Sequence, residues 1–247
     1  MAHWDSRPCG ADAGSAAEEG SAEFFRLIDL DRYQRYAPWL PGVARFERFD
    51  GQDLLEIGCG LGTDLARFAM AGARVTGIDL VPRHLALTRR RFELARLRAC
   101  LTLADVERLP YPDESFDAVY SFGVLHHTPD DRAALSEIRR VLRPGGRVII
   151  AVYHRRSYNL AIFLAREVVR GHLFREPFAV TLGRMEGVGA TALVRLESPA
   201  ELRRKLVGFA DVRVGIHHLQ RWPLRFMKRW AERRLGWYIW AEGHRPY

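Results

Sequence analysis

Apolar positions recur along this chain in two alternating rhythms. Short runs at 54–57, 74–78, 101–103, 118–122 and 147–153 read as strands, and between them segments 64–71, 82–96 and 131–142 repeat apolar residues every three or four positions. In 131–142 that stripe is Ala134, Leu135, Ile138, Val141 and Leu142. Strand and helix alternating from 53 to 153 predict a doubly wound parallel sheet that binds ligands beyond the strand ends, where the strand order reverses. Upstream, Phe24, Phe25, Leu27, Ile28, Leu30, Tyr33 and Tyr36 share helical spacing until Pro38 and Pro41, which predicts one amphipathic helix over 22–39. Downstream, 157–170 and 199–208 read as helices, 171–197 as irregular, 211–217 and 236–242 as strands, and 224–235 as a basic amphipathic helix. In that helix Leu224, Met227, Trp230, Ala231 and Leu235 form the side expected to cover the sheet. Residues 1–22 are rich in Ala, Gly, Ser, Asp and Glu without periodicity, and are expected to lack fixed structure.

The first strand runs into Glu56-Ile57-Gly58-Cys59-Gly60-Leu61-Gly62, and a helix opens at Thr63. Glycine adopts positive φ at little cost and lets a ligand press against the main chain, while the helix start behind it favours an anionic group. A dinucleotide fingerprint would need glycine at position 63, which holds Thr63, so the pattern argues against NAD. The second strand stops at Asp79, about 20 residues past the first glycine, where a carboxylate can accept hydrogen bonds from both hydroxyls of an adenosine ribose. Asp105, just past the third strand, would alone pass as a loop acid.

Composition narrows the class. With 247 residues, 48% hydrophobic and 28% charged, the chain can bury one sizeable core. No apolar run approaches the roughly 18 residues that cross a bilayer and no secretory pattern opens the chain, so a cytoplasmic location is expected. Cys9, Cys59 and Cys100 are scattered and odd in number, which supports neither a disulfide framework nor a zinc site. The net charge of +8 is local, since residues 203–247 hold 11 Lys and Arg against 3 Asp and Glu. Such a patch can meet nucleic acid, anionic lipid or an acidic substrate, although a solvated surface accounts for it more simply.

The motif Glu56-x-Gly58-x-Gly60-x-Gly62 resembles the first motif of class I S-adenosylmethionine (SAM) dependent methyltransferases. The stretch from Leu109-Pro110-Tyr111-Pro112 through Phe122-Gly123-Val124-Leu125-His126-His127 closely resembles the ubiquinone and menaquinone biosynthesis type, methyltransferase type 11. The resemblance implies a Rossmann-like α/β fold: a seven-stranded sheet in three layers, mostly parallel with an antiparallel C-terminal hairpin. Within a domain over 23–247 it implies a cap helix in 23–50, a SAM-binding core over 53–153, a substrate-covering insertion at 157–198, and a sheet edge with the basic helix over 199–247. SAM is the implied cofactor, S-adenosylhomocysteine the product, and no metal is required. Implied cofactor contacts are Glu56, Gly58, Cys59, Gly60, Gly62, Thr63, Asp79, Leu80, Asp105, Val106 and Phe122. Tyr33 and Tyr36, with Arg35 and Trp39, are lid candidates, and core packing explains these aromatics equally well.

Methyl transfer is an in-line displacement that depends mostly on alignment, so catalytic side chains need be few. His126 and His127 after the fourth strand, and Tyr153 and His154 at the end of the fifth, are the catalytic candidates, with His127 preferred as general base. The His-His pair can equally serve only to shape its loop. The expected acceptor is a small organic molecule, a natural product or quinone-like metabolite, methylated at an O, N or C atom. Nucleic acid is disfavoured as a partner, because Ser121-Phe122-Gly123-Val124 stands where methyltransferases of exocyclic base amines carry an Asn or Asp-Pro-Pro-aromatic motif. A SAM-binding protein without methyl transfer, or one using SAM for another reaction, stays open, as does membrane-surface contact through 203–235.

Overall fold

The central sheet has the order β3-β2-β1-β4-β5-β7-β6, built from β1 (Asp53–Ile57), β2 (Arg74–Asp79), β3 (Ala99–Leu103), β4 (Phe116–Phe122), β5 (Leu142–Tyr153), β6 (Ala210–His217) and β7 (Tyr238–His244). The first five strands are parallel, and β7 runs antiparallel to both of its neighbours, β5 and β6. The computed structural model describes residues 8–186, 192–219, 222 and 225–247. The mostly parallel, three-layer fold expected from the sequence is the one that forms.

Period-two alternation feeds two cores. Along β4, Ala118 and Tyr120 face one side and Val119 the other; along β5, Ile149 and Ala151 oppose Val148, Ile150 and Val152. The first side receives Leu65 and Phe68 of helix Thr63–Met70 together with Leu40, Phe46 and Phe49. The second receives Ile138 and Val141 of helix Asp131–Val141 and Leu202 of helix Pro199–Lys205. From β1 the chain winds outward to β2 and β3, then crosses back to β4 on the other side of β1. The turns leaving β1 and β4 therefore part at one place, and the site lies there.

Several expectations are corrected. Residues 8–21 do not lack structure: a short 3₁₀ turn, Ala11–Gly14, packs Ala11 and Ala13 with Ala17 against Phe24, Phe25, Ile28 and Leu87. Glu19 pairs with Arg83 at 2.7 Å, and Ser21 caps helix Ala22–Leu30 by accepting from the Phe24 N–H. Small side chains that carry no periodicity of their own are thus ordered by tertiary contact. The single helix expected over 22–39 is instead an α-helix, Ala22–Leu30, that widens into a π-helical stretch, Asp31–Tyr36. Pro41 then sits in the first turn of a separate short helix, Leu40–Ala44, a position that tolerates proline. Strand β5 starts at Leu142, upstream of the run expected to begin at 147, and pairs with β4 through a register shift. Segment 171–197 is less irregular than expected, with short helices His172–Arg175 and Phe178–Gly183.

The basic helix spans Lys228–Leu235, after a 3₁₀ turn, Arg225–Met227; Leu224 lies outside the described residues. Ala231 faces inward, but Trp230 is half exposed under the Arg234 guanidinium instead of covering the sheet. Among the described residues no helix is long and apolar enough to cross a membrane.

Candidate functional site

Beyond Ile57 the chain turns through Gly58, Gly60 and Gly62, with φ of 69°, 54° and 68°. The N–H groups of Gly58 and Cys59 donate to the Ile78 carbonyl, which binds the turn to the end of β2. A Cβ on Gly58 would lie 2.3 Å from Val124 Cγ2, and one on Gly62 would lie 2.7 Å from Thr88 Cγ2. A Cβ on Gly60 would meet nothing within 4 Å. Gly58 and Gly62 thus allow close packing, while Gly60 borders open space. Gly58→Ala is expected to destabilise the protein by about 1–3 kcal/mol through overpacking on top of the backbone strain of about 1–2 kcal/mol that Gly60→Ala carries alone. Urea unfolding of the two variants checks this, and equal midpoints would contradict it.

At the end of β2, Asp79 is nearly enclosed by donors. Its Oδ2 accepts from the Gly60 N–H at 2.9 Å, and its Oδ1 accepts from the Val81 N–H at 2.9 Å and from His84 Nδ1 at 3.1 Å. Leu80 beside it is exposed, as is Asp105 past β3, whose Oδ1 accepts from the Glu107 N–H; Val106 is buried. Cys59 is buried under the turn, and burial followed by the charges of Glu56 and Asp79 pushes its thiol well up, so it packs as a small apolar group.

Beneath the helix start lies a network absent from the sequence expectations. Asp64 accepts from Arg32 Nε and Nη2 at 3.2 and 2.5 Å, from the Tyr33 hydroxyl at 2.8 Å and from the Tyr120 hydroxyl at 2.8 Å. Tyr33 also donates to the Thr63 carbonyl, and the Thr63 hydroxyl accepts from Arg91. Tyr33 therefore braces the helix start as well as standing over it. Arg32 lies 4.1 Å above the ring of half-buried Phe122. Next to this network Glu56 is 4% exposed, and its Oε2 has no hydrogen-bond partner among the described residues. Burial, then the charges of Asp64 and Asp79, push its carboxyl well above the usual carboxylate range.

Aromatic rings wall the other side. Tyr36 and Tyr238 share a hydroxyl hydrogen bond of 2.6 Å, Trp39 stacks on His217 at 4.7 Å, and Arg35 points outward to Asp31. His126 is 1% exposed with its ring 3.9 Å from that of Tyr153, and burial first, then His127, pushes it well below the usual histidine value. His127 turns the other way: its Nδ1 contacts the Leu193 carbonyl at 2.6 Å, and its Nε2 lies 3.9 Å from Glu186 Oε1. Burial, then Tyr238 and Glu186, push the Tyr153 phenol well up, so it stays a neutral donor, and it hydrogen-bonds Glu186. His154 stands apart from this group. It is buried, donating from Nδ1 to the Gly236 carbonyl and from its N–H to the Trp237 carbonyl, which ties β5 to the approach of β7.

These residues fit SAM. An enclosed carboxyl oxygen without a partner among the described residues suits an ammonium, the bare Gly60 admits a ligand against the main chain, and Asp79, already accepting three hydrogen bonds, keeps a lone pair for a hydroxyl donor. Residues Arg32, Asp64, Tyr120 and Glu186 were missed from sequence.

A family model described as methyltransferase domain matches residues 55–150. The chain is 41% identical over 151 residues to the 27-O-demethylrifamycin SV methyltransferase of Amycolatopsis mediterranei, covering 60% of this chain and 48% of that one. It is 38% identical over 106 residues to the demethylmenaquinone methyltransferase of Tropheryma whipplei, covering 42% of each. The chain thus spans less than half the length of these curated relatives. A SAM-dependent methyltransferase structure from Methanosarcina mazei shares the fold at a TM-score of 0.59 and 20% identity, over 83% of this chain and 97% of that one. Residues 55–150 thus match a methyltransferase domain, and the relatives and the shared fold support a class I SAM-dependent methyltransferase, with S-adenosylmethionine the implied methyl donor.

Proposed function

We propose that the protein transfers the methyl group of SAM to a small organic acceptor. The observation that carries this reading is Glu56 Oε2, buried without a hydrogen-bond partner among the described residues, on the strand that leads into the turn where Gly60 borders open space. Glu56 would take the ammonium of the methionine end, Asp79 the ribose hydroxyls, and Leu80 with Asp105 and the Val106 amide the adenine. Bound there, SAM supplies an electrophilic methyl on a sulfonium.

The chain's own contribution is alignment in a water-poor pocket, with Phe122 and Val124 as walls and segment 157–198 as the cover. Tyr36 and Trp39 close the aromatic side. His127 would take the proton released by an oxygen or nitrogen acceptor, and the neutral, buried His126 would hold Tyr153 in place. His154, tied to the hairpin, is assigned no part in the chemistry. The names of the rifamycin and menaquinone relatives support a small-molecule acceptor.

Asp79→Ala is expected to weaken SAM binding by about 1.5–3 kcal/mol, the range for lost hydrogen bonds to a charged group. Calorimetry on the folded variant measures it, and an unchanged affinity would count against the cofactor placement. Formation of S-adenosylhomocysteine across a panel of small acceptors tests the transfer itself.

A further inference from the structure

Glu186 closes the short turn Arg184–Glu186, far along the chain from the strand ends, yet its side chain is 7% exposed. Its Oε1 has no hydrogen-bond partner among the described residues, and it lies 3.9 Å from His127 Nε2. The histidine ring is fixed from its far side, where Nδ1 meets the Leu193 carbonyl at 2.6 Å. A carbonyl only accepts, so Nδ1 carries the hydrogen and the neutral ring presents its lone-pair nitrogen, Nε2, toward Glu186. The gap is too long for a direct hydrogen bond, but it lies well inside the range over which a carboxylate favours a protonated imidazole.

We propose that Glu186 is the positioning residue for His127, stabilising the imidazolium formed when Nε2 takes a proton, and that the acceptor is therefore an O–H or N–H compound. On the acceptor side this rests on the methyl-transfer reading above. As the acceptor's lone pair forms its bond to the methyl carbon, the carbon–sulfur bond breaks with its electron pair passing to sulfur. The acceptor's proton goes to His127 Nε2, beside the Glu186 carboxylate. A tertiary amine or thioether has no proton to give and gains nothing from the pair.

Among the described residues, Glu186 supplies a compensating charge beside His127. His127 is faced by His126 of its own turn at 4.1 Å between ring centroids, by Tyr153 of β5 at 6.0 Å, and by Glu186 and the Leu193 carbonyl of the cover. Within electrostatic reach of Glu186 lie Cys9, Tyr36 and Tyr238. Burial holds His126 neutral and pushes Tyr153, Tyr36 and Tyr238 up. Although Cys9 is solvent-exposed as a residue, desolvation and then the Glu186 charge push its thiol up to about 12. Burial raises the Glu186 carboxyl as well, while the Tyr153 hydrogen bond pulls it back.

The test is a histidine side-chain NMR titration of the full chain, with the His127 resonances assigned from His127→Asn. In Glu186→Gln the His127 midpoint is expected to fall by about one pH unit, and in Glu186→Asp by less, with calorimetric SAM binding unchanged in both. An unmoved His127 midpoint in a Glu186→Gln protein that still binds SAM overturns the proposal without any acceptor being needed. With phenols and catechols as acceptor probes, the acid limb of kcat/KM should move to lower pH in Glu186→Gln while the plateau falls. His127→Asn keeping full transfer while the titration shift is present would remove His127 as base and leave the pairing standing. Transfer lost in His127→Asn, with no shift in Glu186→Gln, would remove the pairing alone.

Discussion

Arg32→Ala is expected to destabilise the protein by about 3–5 kcal/mol, the cost of leaving a buried charge without its partner. Asp64 is 4% exposed and accepts four hydrogen bonds, two of them from the Arg32 guanidinium. Burial alone would push its carboxyl up. The Arg32 charge, with hydrogen bonds from Arg32, Tyr120 and Tyr33, outweighs burial and holds it below the ordinary range. Alanine at position 32 leaves a carboxylate with two phenol donors and a helix start, which is too little to replace a cation in a low-dielectric site. The pH dependence follows from the depressed folded value. The stabilisation is fully present above the unfolded carboxylate range and is lost as pH falls through the lower folded value, so the gap between wild type and variant should narrow in acid. Urea unfolding at neutral and acid pH measures both effects, and a gap under about 1 kcal/mol at neutral pH, the size of an exposed pair, would refute the account.

What the sequence disclosed was local. Period-two and period-3.6 patterns mark the strands and helices around both cores, and three glycines in five residues mark the turn because positive φ at Gly58, Gly60 and Gly62 demands them. What stayed hidden depends on partners far along the chain. Arg32 and Asp64 lie on different elements, and only folding brings an arginine from an aromatic-rich helix under another helix start. Glu186 sits in a segment without periodicity, and its importance comes from His127, which it meets only through the cover. His126 and His127 are neighbours with opposite fates, since one turn, Leu125–His127, sends the first ring into the core and the second toward the cover. The widened helix at Asp31–Tyr36 left no sequence mark either, because the same apolar spacing serves an α-helix up to Leu30.

The largest effect on ligand binding is expected at Glu56, where Glu56→Gln should weaken SAM by about 2–5 kcal/mol, the cost of truncating one partner of an enclosed charge pair. In the free protein, burial and the charges of Asp64 and Asp79 push this carboxyl up, with Arg32 and Arg91 pulling the other way. A raised folded value means the folded state disfavours the ionised form, so this group costs stability as pH rises above the unfolded carboxylate value. Glutamine removes that cost, and the free variant should be at least as stable as wild type near neutral pH. An ammonium beside Glu56 reverses the preference, drawing the carboxyl into its ionised form. SAM binding to the wild type should then release protons and tighten as pH rises toward the raised value, and Glu56→Gln should abolish both responses. Calorimetry in two buffers of different ionisation enthalpy, paired with thermal unfolding of the free proteins, reads the two signs separately. A residue that only held the fold would lose stability and keep its affinity, whereas a residue that holds the cofactor keeps its stability and loses affinity.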